Sequence, residues 1–226
     1  MKGREVIMFS FDIETIPNEA MIDHLPEPEV KTGNLKDIEK IKAKAAEAKQ
    51  KQIDSMALNP FYGRICSAAF YDPDDYQGYK TIDEISDAAE LELLDYIFDR
   101  LKFTETTSPT IITWNGMSFD LPFVYTRAAL LNYRLSPEAP GLQYWIKRYT
   151  HSPHCDLERI LSNWGVKSFR LDEVANAFLG ESKLKQDVTQ FVDLITLGKS
   201  DEIGIYNLKD AELTYKLYDK LSAYLF

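Results

Sequence analysis

The chain opens with an almost unbroken apolar run. From Val6 to Ile13 only Ser10 and Asp12 interrupt the β-prone apolar residues, and Thr15-Ile16-Pro17 ends the stretch, which predicts a first strand. A second strand is predicted over 63–71 (Gly-Arg-Ile-Cys-Ser-Ala-Ala-Phe-Tyr), followed by a turn at Asp72-Pro73-Asp74-Asp75 and a short third strand over 77–82. Ser86 stands where an N-cap belongs. Leu91, Leu94, Ile97, Phe98 and Leu101 then recur at helical spacing, predicting an amphipathic helix to about residue 103. Thr110 to Trp114 predicts a buried fourth strand, and a helix begins at Asp120 with Pro122 tolerated in its first turn. Helical patterning continues over 156–164, 171–179, 188–197 and 202–225.

Between the first two strands the pattern changes. Residues 25–30 are proline-rich and predicted extended. Residues 34–56 are rich in Lys, Glu, Ala and Gln, with weak periodicity at Leu35, Ile38, Ile41 and Ala45, which predicts a solvent-exposed helix. The order strand, strand, strand, helix, strand, helix predicts an α/β fold, a mixed sheet flanked by helices. No internal repeat occurs, so 1–226 is expected to be one domain, with 31–58 a helical insertion between strands 1 and 2.

Composition narrows the class. No run of eighteen apolar residues exists, so no membrane span is expected. The start, Met-Lys-Gly-Arg-Glu-Val, lacks the apolar stretch of a signal peptide, and Cys66 and Cys155 are the only cysteines. A cytoplasmic location is the expectation. The net charge of −10 speaks against a protein that coats duplex DNA. Residues 31–51 run the other way, with seven lysines against Asp37, Glu39 and Glu47, so 7 − 3 = +4. A solvated helix explains that surplus better than a DNA-contacting arm does.

Three short motifs carry the candidate chemistry. Asp12 and Glu14, in Phe-Asp-Ile-Glu-Thr, share one face of the first strand because residues i and i+2 do. An Asp-x-Glu pair on a strand is ordinarily an exposed face. Here the other strand residues are nearly all apolar, and a strand buried on both faces does not carry two acids without a compensating cation. Asp120, in Asn-Gly-Met-Ser-Phe-Asp, taken alone caps a helix, and Asn115 makes the turn before it. Tyr206 and Asp210, in Tyr-Asn-Leu-Lys-Asp, lie one helical turn apart, where an aromatic more often packs a core. The weight lies in the conjunction: four converging carboxylates make a cage for two divalent cations.

In this order, Phe-Asp-Ile-Glu-Thr, Asn-x-x-x-Phe-Asp and Tyr-x-x-x-Asp resemble the three motifs of the DEDD superfamily of 3′→5′ exonucleases. Tyr206 four residues before Asp210, with Ile205 rather than histidine five before, resembles the tyrosine subclass (DEDDy). Asn-Leu-Lys-Asp, the lysine-rich insertion and the stretch Ala57-Leu58-Asn59-Pro60 through Gly63-Arg64-Ile65 look like a stand-alone bacterial and phage family related to the exonuclease domain of family-B DNA polymerases. The resemblance implies a ribonuclease-H-like fold and a two-metal-ion hydrolysis of single-stranded DNA from its 3′ end, releasing nucleoside 5′-monophosphates. It implies two Mg²⁺ or Mn²⁺ ions, Asp12 bridging them, Glu14 and Asp210 completing the nucleophile-side ion and Asp120 holding the leaving-group ion. It assigns Tyr206 to orienting the attacking water, and Thr15, Asn115 and Phe119 to the 3′-terminal nucleotide. With no polymerase region in 226 residues, proofreading is expected only in trans, with repair or recombination as other settings.

Two rivals stand beside this reading: RNA as substrate of the same site, and a catalytically silent nucleic-acid-binding module. A protein partner is left open by the sequence. His151, His154 and Cys155 lack zinc-finger spacing and are expected in a loop or on the substrate side. Lys147, Arg148, Lys183 and Lys185 are read equally as phosphate contacts or solvated basic residues.

Overall fold

The structure is a computed structural model that describes residues 5–29 and 37–226, the side chain of Glu5 excepted. The expectations resting on Val30, Lys31, Asn34, Leu35 and Lys36 lie outside the described residues. A five-stranded mixed sheet forms the centre, in the order β3-β2-β1-β4-β5. Strand β1 (Glu5–Pro17) pairs antiparallel with β2 (Gly63–Tyr71) and parallel with β4 (Thr107–Thr113). The edges are β3 (Gln77–Thr81), antiparallel to β2, and β5 (His154–Asp156), parallel to β4. Helices cover both faces, as the α/β patterning predicts.

Alternation along β1 sorts its side chains. Phe9, Phe11 and Ile13 join a core with Phe70 and with Leu93, Leu94, Ile97 and Phe98 of helix α2 (Asp87–Leu101). The Phe11 and Phe70 rings stack at 4.9 Å. Each such buried side chain contributes about 1.5–3 kcal/mol, which makes the strand's register expensive to slip. Ser86 caps α2 by accepting from Ala89 N–H, as its position predicts. Glu90, fully buried, takes Arg64 of β2 and Arg127 of α3 (Asp120–Leu130) at 3.1 and 2.7 Å, fixing α3 to the sheet.

Ser10, Asp12 and Glu14 face the long helix α8 (Ser200–Leu225) instead, which follows the short helix α7 (Phe191–Thr196). Ser10 Oγ donates to Ala211 O at 2.6 Å, and Asn207 Nδ2 donates to Ser67 Oγ at 3.0 Å. Gly204 permits this approach, because a Cβ there would lie 2.0 Å from the Tyr79 ring. Helix α6 (Leu171–Leu179) packs outside α8, with Leu171, Val174 and Ala175 meeting Leu213, Leu217 and Leu221.

Four features depart from the sequence reading. Strand β1 runs on to Pro17, because β2 continues to pair with it as far as Gly63. Helix α1 (Ile38–Asp54) is solvent-exposed as its patterning predicts, but it begins only after Asp37, whose carboxylate caps it, and ends before Met56. The helix expected over 156–164 is shorter, α5 (Leu157–Leu161), running into a left-handed turn at Asn163 to Gly165, and it is preceded by the unexpected strand β5, which ends at Asp156. A three-residue polar strand is too short for period-two alternation to show. His154 is not a loop histidine: it is buried, with Nε2 2.8 Å from Thr113 Oγ1 and Nδ1 3.1 Å from Trp145 O. Burial pulls its pKa down to about 4, leaving it a neutral link between β4, β5 and α4 (Leu142–Trp145).

Candidate active site

The site lies at the C-terminal end of β1, where β4 has stopped and β1 continues beside β2 alone. Asp12 and Glu14 project from one face of the strand, opposite Ala69 and Ser67 of β2. Helix α8 brings Tyr206 and Asp210 over them on consecutive turns. The carboxylate oxygens of Asp12, Glu14 and Asp210 offer ligand atoms that all lie within 4.8 Å of one another. Among the described residues no other set of three or more His, Cys, Asp or Glu side chains converges in this way.

Asp120 stands beside this trio rather than within it. After Ser10 the parallel pairing of β1 with β4 ends, and the Ile13 N–H on that side has no strand to bond. Asp120 Oδ1 accepts from it at 3.1 Å. The acid is therefore not the N-cap of α3; Phe119 occupies that position without a side-chain cap bond. The loop before it turns through Asn115 at φ 65°, a left-handed conformation that asparagine tolerates. Asp156 organises the loop by accepting from Asn115 N–H at 3.0 Å and Met117 N–H at 2.8 Å.

The three residues expected at the 3′-terminal nucleotide already have partners. Thr15 Oγ1 donates to Ala57 O at 2.7 Å. Asn115 Oδ1 accepts from Arg159 Nη2 at 3.0 Å. Phe119 packs against Phe123, ring centroids 5.5 Å apart. All three remain half-buried, with an edge open to solvent.

Lys183 is the site residue the sequence reading left undecided. Its Nζ lies 2.5 Å from Asp210 Oδ2 and 5.1 Å from the Tyr206 ring centroid. The backbone N–H of Lys183 donates to Asp172 Oδ1 of α6 at 2.8 Å, which anchors the loop that delivers it. No spacing pattern points to a lysine that reaches Asp210 from a loop 27 residues before it (210 − 183 = 27). Asp156 and Arg159 were missed for a similar reason, since their partners are about forty residues away in sequence.

Burial and crowding disfavour the charged forms here. Burial raises the Asp12 pKa well above its ordinary value, and Asp120, Glu14 and Asp210 raise it further. Burial, then Asp210, push Glu14 up to about 8, with Lys183 opposing. Asp120 rises to about 7 through burial, opposed by the Ile13 N–H bond. Asp210 is raised by burial despite Lys183 and Tyr206. Burial also pushes the Tyr206 phenol to about 12, so it is protonated at neutral pH. One ammonium faces four carboxylates, and Asp210 Oδ1 is buried with no hydrogen-bond partner. That donor set fits a hard divalent cation.

A concavity of about 820 Å³ is lined by α2 residues such as Tyr96 and Asp99 together with Thr104 and Glu105 near the start of β4. It borders the α2 face of the sheet, not the face that carries Asp12 and Glu14, and among the described residues no three acids converge in it. Among the described residues no helix is long and apolar enough to cross a membrane.

Comparison with known proteins places this geometry in context. The model of a family described as "predicted 3′-5′ exonuclease related to the exonuclease domain of PolB" matches residues 57–224. Asp12 and Glu14 lie ahead of the matched segment. DNA polymerase 1 of Sulfolobus acidocaldarius is 35% identical over 145 residues, covering 59% of this chain and 15% of the polymerase. The DNA polymerase of Autographa californica nuclear polyhedrosis virus is 28% identical over 150 residues, 58% of this chain and 15% of that protein. The chain thus matches only a small part of these relatives' length. The structure of the family B DNA polymerase from the archaeon Pyrobaculum calidifontis superposes with a TM-score of 0.55 at 16% identity, over 95% of this chain and 24% of that one. That likeness shows the ribonuclease-H-like fold of the polymerase exonuclease domain.

Proposed function

The chain belongs to the family of predicted 3′-5′ exonucleases related to the exonuclease domain of PolB, and on that premise we propose that it is a divalent-metal-dependent 3′→5′ exonuclease acting on single-stranded DNA ends. The observation that carries the reading is the meeting of Asp12, Glu14 and Asp210 within 4.8 Å. Three acids brought this close, Asp210 buried and Asp12 and Glu14 half-buried, repel one another unless a cation joins them. The names of the relatives, all DNA polymerases, support DNA over RNA.

Asp12, Glu14 and Asp210 would hold Mg²⁺ or Mn²⁺, and Asp120 would serve a second ion. When bound, two such ions activate a water and stabilise charge on the phosphate and the leaving oxygen. The rest falls to the protein's own groups. In the hydrolysis, the water oxygen bonds to the terminal phosphorus and the bond to the preceding 3′ oxygen breaks. That oxygen leaves as a hydroxyl, and a nucleoside 5′-monophosphate is released. Tyr206 is too weak an acid to act as a base at neutral pH, since its phenol titrates near 12. Its hydroxyl orients the water by hydrogen bonding. Lys183 holds Asp210 in place and neutralises part of the cluster. The Ile13 N–H fixes Asp120 at the strand end.

The substrate assignment is tested by digesting matched DNA and RNA oligonucleotides in parallel and identifying the products by chromatography. Nucleoside 5′-monophosphates released faster from DNA are expected. Preferential RNA digestion would assign the same site to an exoribonuclease, and no product from either would leave a binding module.

A further inference from the structure

A second surface adjoins the acid cluster across the loop 115–120. Residues 144–170 carry Lys147, Arg148, Arg159, Lys167 and Arg170 against Asp156 and Glu158, so 5 − 2 = +3 in a chain of net charge −10. Both acids are buried. Asp156 is committed to backbone N–H groups, and Glu158 lies 3.7 Å from Arg159. Among the described residues no carboxylate lies within 4.0 Å of Lys147, Arg148 or Lys167. Of the five lysines of α1, Lys40, Lys42 and Lys51 pair with acids of their own helix or its cap.

A cleft of about 230 Å³ opens in this basic region. Its lining includes Arg148, Tyr149 and Trp164 together with Met117, Ser118 and Arg159. The Tyr149 ring rests against Trp164 at 4.9 Å, tilted by 55°, while Tyr149 remains 75% exposed. Trp164 thus holds the tyrosine in a tilted contact and leaves most of it open to solvent. The backbone holds this pose at a cost: Tyr149 sits at φ 63° and Trp164 at φ 59°, a region bulky residues rarely enter. A pair that served packing alone would bury the tyrosine and avoid the strain.

The cleft and the acid cluster share a wall. Met117 and Ser118 lie within three residues of Asp120, and Arg159 donates to both Asn115 Oδ1 and Ser118 Oγ. A strand whose 3′ end reaches the carboxylates can run over this wall onto Tyr149. We propose that Tyr149, braced by Trp164, is a stacking subsite for a base of a single-stranded polynucleotide upstream of its 3′ end, with Arg148 contacting the adjoining phosphate. The inference rests on the exonuclease reading for the direction of the strand and not on hydrolysis itself. Aromatic stacking accepts any base, so the subsite selects single strands rather than sequences.

Binding without turnover tests it. A trinucleotide and a dodecanucleotide are titrated in EDTA, the longer one carrying 2-aminopurine at successive positions from the 3′ end. The parent is expected to bind the longer strand more tightly and to quench 2-aminopurine at one upstream register. Tyr149→Ala should weaken the dodecanucleotide about tenfold, close most of the gap between the two strands and abolish the quench; Tyr149→Phe should retain all three properties. Arg148→Gln should lower the salt slope by about 0.7. Parent-like affinity and quenching in Tyr149→Ala would overturn the subsite, whatever the nuclease assay shows. A parent that binds with this length dependence yet digests nothing in Mg²⁺ would overturn the exonuclease reading and uphold the subsite.

Discussion

The Lys183 ammonium lies 2.5 Å from Oδ2 of Asp210, so the acid cluster carries a cation of its own. One positive charge cannot balance Asp12, Glu14, Asp120 and Asp210. Lys183→Met strips Asp210 of its partner and leaves four acids unrelieved. With the lysine side chain 30% exposed, solvent screening reduces the cost to on the order of 2 kcal/mol. The variant should therefore melt lower than the parent in EDTA, and Mn²⁺ should raise its Tm by more than the parent's. Equal Mn²⁺ shifts in both proteins would contradict this.

Asp12 and Asp210 should respond oppositely to neutralisation. Asp12 faces three carboxylates, and Asp12→Asn removes that repulsion. Asp210→Asn leaves Lys183 without its partner. In EDTA at neutral pH the first variant is expected to melt above the parent and the second below it. Both should lose nucleotide release. Tyr206→Phe removes only the orienting hydroxyl, so kcat should fall about a hundredfold with little change in KM.

Stability should fall with rising pH in the absence of metal. Glu14 is pushed up to about 8 and Asp120 to about 7, while unfolded carboxylates titrate near their ordinary values. Between about pH 4.5 and 8 the folded state therefore binds more protons than the unfolded one. The stability is present below the unfolded value and is lost as pH rises through the folded one, by about 1.4 kcal/mol per pH unit for each such group. Saturating Mg²⁺ should flatten the slope by holding the groups ionised. Denaturant midpoints across this range, in Mg²⁺ and in EDTA, check the sign.

Gly204 sets how closely α8 approaches the sheet. The Cβ of Gly204→Ala would lie 2.0 Å from the Tyr79 ring, and the displacement should cost about 1–3 kcal/mol. Because Tyr206 and Asp210 ride on the same helix, turnover should fall as well. Tyr79→Ala in the same chain should restore much of both. A variant as stable and active as the parent would show that α8 has slack.

Long elements were legible in the sequence because their periodicity spans many residues. Strand β2 and the Ser86 cap of α2 lie where patterning puts them. Local spacing aims Asp12 with Glu14, and Tyr206 with Asp210, each pair in one direction, but only the order and conjunction of the three motifs pointed to acids that the fold brings within 4.8 Å. Strand β5 escaped because His154, Cys155 and Asp156 form it only by pairing with β4. Lys183 and Arg159 escaped because each meets its partner through tertiary folding, which leaves no local signal. The burial of His154 is equally non-local, depending on Thr113 and Trp145.

The central claim is that the acid cluster removes nucleotides from a 3′ end with bound divalent cation. The most direct measurement follows a single-stranded DNA oligonucleotide labelled at its 3′ end in one reaction and at its 5′ end in another, with Mg²⁺ or with EDTA, using the parent and Asp12→Ala. The account predicts immediate release of the 3′ label as mononucleotide and a descending ladder from the 5′ label. It predicts neither in EDTA nor with Asp12→Ala. Early release of the 5′ label, activity that persists in EDTA, or parent-like digestion by Asp12→Ala would contradict it.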